Sequence, residues 1–314
     1  MAKSKMEMQN LNIVTPLEEE NSVLMEIVKG RDEFYSFSEM SNEEREFLNS
    51  LIIRNKPSKL LELGVSAGAS SIVMLNAIKN NDDSMLYSID YSNQWYRSND
   101  LKTGFFVDEY SELKTKWKLY TGGLASKFID EIGGEIDFCL IDTSHVNPGE
   151  ILDFLLILPY LKEDAMVVLH DINLHTFDYF LGSWSITNNI LFSAIFGEKF
   201  IMENTSGSEE YNSDIYEATK FPNIGAIKIN NETRKHIFEI INLLTLKWSY
   251  LPKKDEEAEI ISHFEKNYNN KFFTDYLQEV FSYQRKHYAP DKLCIRYYMA
   301  QIKRLVNKLR IKLK

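Results

Sequence analysis

Two short polar motifs carry most of the chemistry visible in this 314-residue chain. The first is Asp142-Thr143-Ser144-His145 and the second is His170-Asp171, and each follows an apolar run. Two carboxylates and an imidazole form a donor set suited to a divalent cation. A second imidazole beside them can take a proton near neutral pH. On this reading Asp142, His170 and Asp171 hold a metal, and His145 is the general base for a hydroxyl that the metal polarises. His170 has a competing role. Successive strand residues point to opposite faces, so His170 and Asp171 share a site only if the strand has ended before them. Otherwise His170 is a core histidine, and the bland alternative for Asp142 is a cap on the turn before Pro148.

A third motif is Glu62-Leu63-Gly64-Val65-Ser66-Ala67-Gly68, placed between an apolar run and a helical pattern. Glycines there let the chain turn tightly and let a ligand approach the backbone. The helix that follows offers unpaired N–H groups and a positive dipole. The spacing E-x-G-x-x-x-G is neither the dinucleotide fingerprint nor the phosphate loop. A carboxylate at Glu62 would repel a pyrophosphate but could hold an amino group. Asp90 closes the next apolar run, 22 residues after Gly68. An acid in that place can accept from both hydroxyls of a ribose.

These motifs need a scaffold that brings them together. Apolar runs at Lys59–Val65, Met85–Tyr91, Trp117–Tyr120, Ile136–Asp142, Ala165–Leu169, Lys199–Met202 and Ile224–Ile229 read as seven strands. Helical patterns separate them, including one near Phe105–Lys114. Strands alternating with helices predict an α/β fold with a doubly wound, mostly parallel sheet, and continuous apolar runs predict burial on both faces. In such a sheet the ends of neighbouring strands lie about 5 Å apart at one edge, where ligands bind. Residues 1–57 read as a polar leader to residue 21 followed by two short helices, the second opening with a capping box from Ser41 to Glu44. Residues 58–230 form the α/β domain. Residues 231–314 form a helical extension.

The glycine loop and Asp90 resemble the S-adenosylmethionine (SAM) site of class I methyltransferases, which have a Rossmann-like fold. The resemblance implies that Glu62, Gly64, Ser66, Gly68, Ser70, Asp90 and Gly122 contact SAM. The polar cluster is similar to that of the metal-dependent sugar O-methyltransferases of macrolide pathways and the cephalosporin hydroxylase-like family. Those enzymes carry an Asp-x-x-His after the fourth strand and an acid-Asp pair after the fifth. Asp142, His145 and Asp171 match. His170 departs, because those enzymes have Glu there, and the lost charge leaves Mg²⁺, Mn²⁺ or no metal open. Trp95, Asp100 and Gly104-Phe105 follow the order of a W…D…G-aromatic segment in the same group. The resemblance implies a metal-assisted SAM-dependent O-methyltransferase acting on a sugar hydroxyl of a glycan or glycosylated natural product. A non-sugar small molecule as acceptor, and a non-catalytic SAM-fold binding protein, remain the alternatives.

Composition narrows the partners. The net charge of −10 disfavours binding along nucleic acid. Two cysteines, Cys139 and Cys294, exclude a disulfide scaffold and suit a reducing compartment, and no signal peptide or membrane span is evident, so a cytoplasmic location is expected. Asn173 to Trp184 contains His175, Phe177, Tyr179, Phe180 and Trp184, faces suited to stacking on a sugar or to anchoring a long connection. Ser206 to Pro222 is acidic, as a lid or a solvated loop would be. Ile295, Met299, Ile302, Val306, Leu309 and Leu313 recur at helical spacing beside a basic face, a pattern fit for a membrane surface or a partner protein.

Overall fold

The computed structural model describes residues 11–28, 37–38, 40–177, 186–202 and 222–288. Along the chain run β1 (Leu11–Val14), α1 (Glu18–Val28), α2 (Asn42–Asn55), β2 (Lys59–Leu63), α3 (Ala69–Ile78) and β3 (Met85–Asp90). They are followed by β4 (Trp117–Thr121), α4 (Ala125–Ile132), β5 (Ile136–Ile141), α5 (Gly149–Ile157), β6 (Leu161–His170), α6 (Leu174–Phe177), α7 (Thr187–Ala194), β7 (Glu198–Met202) and β8 (Ile224–Lys228). Four helices close the described chain: α8 (Asn231–Lys235), α9 (Ile237–Leu243), α10 (Lys254–Tyr268) and α11 (Lys271–His287).

The strands form one sheet in the order β1-β7-β8-β6-β5-β2-β3-β4. β8 is antiparallel to both β6 and β7, and all other pairs are parallel. The sheet is therefore mostly parallel, as the alternation of strands and helices predicts, but it has eight strands rather than seven. The extra strand comes from the supposed leader. Leu11–Val14 pairs in register with Lys199–Met202. The helix expected near Phe105–Lys114 is instead two 3₁₀ turns, Phe105–Glu109 and Lys114–Lys116. Gly104, at φ +75°, opens the first of them.

Both faces of the sheet are covered, and side chains alternate between them. Leu60, Leu86, Phe138, Leu140, Met166 and Val168 pack under α1, α2 and α3. Leu61, Ile89, Cys139, Ile141, Val167 and Leu169 pack under α4 and α5, in one core with Trp248, Ile260, Phe264, Leu277 and Phe281. The C-terminal helices thus pack against α4 and α5 on the second side of the sheet. Helix α2 begins with the expected capping box: Ser41 Oγ accepts from Glu44 N, and Glu44 Oε2 accepts from Ser41 N. Among the described residues no helix is long and apolar enough to cross a membrane. The amphipathic stretch 295–313 and the acidic stretch 206–221 lie outside the described residues, as do Tyr179, Phe180, Trp184 and Cys294.

Candidate active site

The glycine loop joins β2 to α3 at the carboxyl edge of the sheet. Gly64 (φ +87°) and Gly68 (φ +101°) take the left-handed conformation that favours glycine. A Cβ on residue 68 would meet Val107 Cγ2 at 2.8 Å. Asp90, at the end of β3, draws the loop in: its Oδ2 accepts from Val65 N (2.9 Å) and Ser66 N (3.0 Å), and its Oδ1 accepts from Ser92 N (2.7 Å). Gly122 N donates to Asp90 O at 3.1 Å, which brings the end of β4 to the same corner. The segment after β3 closes over the loop. Gly104 N donates to Ser66 O (2.9 Å) and Phe106 N to Ala67 O (3.0 Å). Trp95 is buried against Phe37 and Phe105, whereas Asp100 is exposed.

Glu62 does not sit where the sequence reading put it. Its carboxylate has no exposed surface and accepts from the hydroxyls of Ser70, Ser71 and Ser88, each at 2.6 Å. Burial pushes its pKa up to about 7 despite those three bonds. The enclosed carboxyl presents no exposed surface to an amino group. Glu62 instead ties the first turn of α3 to the sheet and so shapes the loop from beneath.

The polar cluster does converge. Ligand atoms of Asp142, His170 and Asp171 all lie within 4.8 Å of one another. His170 Nδ1 is 3.2 Å from Asp142 Oδ1 and 3.5 Å from Asp171 Oδ2. The alternation problem is solved by the backbone. β6 ends at His170, and Asp171 then takes φ +58°, which turns the chain so that both side chains meet the same volume. Such a conformation is costly for a residue with a Cβ, and the surroundings enforce it. Asn223 Nδ2 donates to Asp171 Oδ1 (2.6 Å), and Asn188 Nδ2 donates to His170 O (3.0 Å).

His145 stands beside this group. Its Nδ1 is 3.3 Å from Asp171 Oδ2, and its Nε2 is 3.8 Å from Asp142 Oδ1. His145 also has a positive φ, +58°. Two buried acids of α5 hold the loop in that shape. Glu150 accepts from the His145 backbone N–H, and its Oε1 lies 3.5 Å from His145 Nδ1. Asp153 accepts from Thr143 Oγ1 at 2.7 Å. Burial raises the pKa of both acids, that of Asp153 to about 7. For the histidines burial acts the other way but is outweighed. Asp171, Asp142 and Glu150 leave His145 above its ordinary value, and Asp171, Asp142 and Glu44 leave His170 well above it. Burial would raise Asp171 too, but His170 and His145 hold it below the usual carboxylate range.

The donor chemistry fits a divalent metal. Two carboxylate oxygens and one imidazole nitrogen lie within 4.8 Å of one another, and the remaining oxygen of Asp171 is anchored by Asn223, as metal-ligating carboxylates commonly are. Asp142 is the most exposed of the three, with 23% of its side chain accessible, so the cluster opens toward solvent on its side.

Residues 61–172, from within β2 to just past β6, match the family model described as a methyltransferase domain. This part of the chain is a methyltransferase domain. It holds every residue that the sequence reading assigned to the donor and metal sites. A search of curated proteins finds no match to the chain. Among solved structures it is similar to the O-methyltransferase TomG from Streptomyces achromogenes, involved in tomaymycin synthesis and solved with SAM. The identity is 16% over 69% of this chain and 100% of that one, with a TM-score of 0.45. It is also similar to an O-methyltransferase from Bacillus cereus solved with SAH, at 13% identity over 69% of this chain and 93% of that one, again with a TM-score of 0.45. At those scores the likeness adds nothing to the reading of the site.

Glu150 and Glu44 are among the site residues that the sequence does not announce. Glu150 was visible only as an acid in a helical pattern after Pro148. Glu44 lies outside the domain altogether and was visible only as the far end of a capping box. His175 is half-buried, with an Nδ1 that has no hydrogen-bond partner, and residues 178–185 lie outside the described residues.

Proposed function

We propose that the methyltransferase domain transfers the methyl group of SAM to a hydroxyl, with a divalent metal assisting, and that the acceptor is a sugar. The observation that carries this reading is the single volume shared by Asp142, His170, Asp171 and His145 at the carboxyl edge of the sheet, next to the glycine loop. The loop from Gly64 to Gly68 would seat the donor, with Asp90 and Gly122 at the ribose side. Asp90 Oδ1 accepts one backbone N–H at 2.7 Å and has room for a second donor.

Asp142, His170 and Asp171 would hold Mg²⁺ or Mn²⁺, which when bound polarises the acceptor hydroxyl and lowers its pKa. His145 takes the proton. Its Nδ1 is buried and faces the carboxylates of Asp171 and Glu150, so those acids favour the tautomer with hydrogen on Nδ1. That leaves the lone pair on Nε2 for the acceptor O–H. The acceptor oxygen forms its bond to the methyl carbon as the carbon–sulfur bond breaks. The electron pair stays on sulfur, giving neutral S-adenosylhomocysteine. The choice of a sugar rests on the similarity of Asp142, His145 and Asp171 to the sugar enzymes' motif.

The test is native mass spectrometry of the gently purified protein with metal analysis, followed by methyl transfer to a panel of sugar and phenolic acceptors with and without EDTA. The reading expects bound SAM or S-adenosylhomocysteine, activity on a glycosylated acceptor, loss with EDTA and recovery with Mg²⁺ or Mn²⁺. Full activity in a metal-free preparation would remove the metal, and turnover of phenols alone would remove the sugar.

A further inference from the structure

His170 presents its two ring nitrogens to different groups. Nδ1 faces Asp142 and Asp171. Nε2 is buried without a hydrogen-bond partner and stands 3.4 Å from Glu44 Oε2. Both side chains are enclosed, with 3% of His170 and 8% of Glu44 exposed. The same Glu44 oxygen accepts from Ser41 N at 2.6 Å, so the cap of α2 fixes the carboxylate where it meets the ring.

A neutral imidazole ligates a cation through one nitrogen while the other carries a proton. Only Nδ1 lies among the other candidate ligands. The proton then belongs on Nε2, pointing at Glu44. A carboxylate behind a ligating histidine sets its tautomer and ring plane and makes it a stronger donor. It also supplies, from behind, the negative charge that a neutral ring at position 170 does not bring to a hard cation.

We propose that Glu44 is a positioning residue that makes His170 a metal ligand through Nδ1 by holding its Nε2–H. The proposal rests on the metal-assisted reading of the site. It assigns to α2, which precedes the methyltransferase domain, a direct part in building the metal centre.

The experiment uses the full-length protein stripped of metal. Mn²⁺ affinity is measured by calorimetry for wild type, Glu44→Ala, Glu44→Gln and Ser41→Ala. The tautomer of His170 is read by long-range ¹H–¹⁵N NMR at saturating Mg²⁺. Wild type should bind Mn²⁺ and show His170 as the Nε2–H tautomer. Glu44→Ala should weaken Mn²⁺ binding by roughly 10- to 100-fold. Glu44→Gln keeps an acceptor oxygen and loses the charge, so it should fall between the two. Ser41→Ala removes the hydroxyl of the cap and leaves Glu44 in place, so it should bind as wild type does. If Glu44→Ala binds Mn²⁺ as tightly as wild type, or Ser41→Ala weakens it equally, Glu44 has no such role while the metal reading stands. An Nδ1–H tautomer for His170 in the Mg²⁺-loaded protein also overturns the proposal. Wild-type protein that takes up no Mn²⁺ overturns both.

Discussion

Gly64 and Asp142 are in backbone contact: a Cβ on residue 64 would stand 1.8 Å from the Asp142 carbonyl oxygen and 2.7 Å from its carbonyl carbon. Asp142 N also donates to Leu63 O at 2.9 Å. The loop that would seat the donor and the loop that carries a candidate metal ligand therefore touch at one point. A side chain at 64 cannot be fitted without moving one of them.

Gly64→Ala is accordingly expected to damage both functions at once. The left-handed φ alone costs about 1–2 kcal/mol for a residue with a Cβ. The clash adds a displacement of Asp142, because the obstructing atoms are backbone. Thermal denaturation should show a midpoint lower by several degrees, and Mn²⁺ titration should show weaker binding although residue 64 offers no ligand. A variant with wild-type melting and wild-type Mn²⁺ affinity would show that the two loops move independently.

His145→Ala should separate chemistry from binding. His145 meets Asp142, Asp171 and Glu150, and no described contact links it to the glycine loop. Loss of a general base lowers kcat by roughly 10²–10⁴-fold. SAM affinity by calorimetry should stay near that of wild type. A kcat near that of wild type, at saturating metal and donor, would reduce His145 to a structural residue.

Asp90→Ala should weaken donor binding. Three backbone N–H groups converge on this carboxylate, and hydrogen bonds to a charged acceptor are worth about 1.5–3 kcal/mol each. Without it the Val65 and Ser66 amides lose their acceptor and the loop loses its shape, in addition to any ribose contact. The dissociation constant for SAM should rise by at least roughly tenfold, with circular dichroism showing an intact fold. Unchanged affinity would take Asp90 out of the donor site.

The sheet and the motif-bearing strand ends were legible because their signals are local. Apolar runs marked β2, β3, β5 and β6, and their ends carried the polar residues. What escaped depends on contacts distant in sequence. Leu11–Val14 is four residues long, too short to show a period, and it becomes a strand only by pairing with Lys199–Met202. Glu44 reaches His170 from a helix far upstream, and Glu150 reaches back five residues to His145. The side chain of Glu62 was misjudged because its three hydroxyl partners belong to α3 and β3, and no spacing rule announces them.

Glu62 makes the stability of the fold depend on pH in a defined direction. Its carboxyl is enclosed, and burial raises its pKa from 4.5 to about 7. Between those values the folded chain holds a proton that the unfolded chain has released. Stability therefore falls as pH rises through this window, and the contribution is fully present only below the unfolded value. A shift of this size corresponds to about 3 kcal/mol between acid and alkaline limits. Asp153, also raised to about 7 by burial, acts with the same sign, so the wild-type curve contains both. Glu62→Gln removes one of them while keeping a polar group within reach of Ser70, Ser71 and Ser88. The measurement is urea denaturation of both proteins from pH 5.5 to 8.5. Wild type should lose stability relative to the variant from pH 5.5 to about 7, and the difference should level off above that, with Glu62→Gln the more stable of the two at pH 8.5. Parallel curves would mean that Glu62 is already ionised in the folded protein at pH 5.5. The three serine hydroxyls would then outweigh burial and hold a carboxylate, and the shape of the glycine loop would rest on a buried charge and not on a neutral acid.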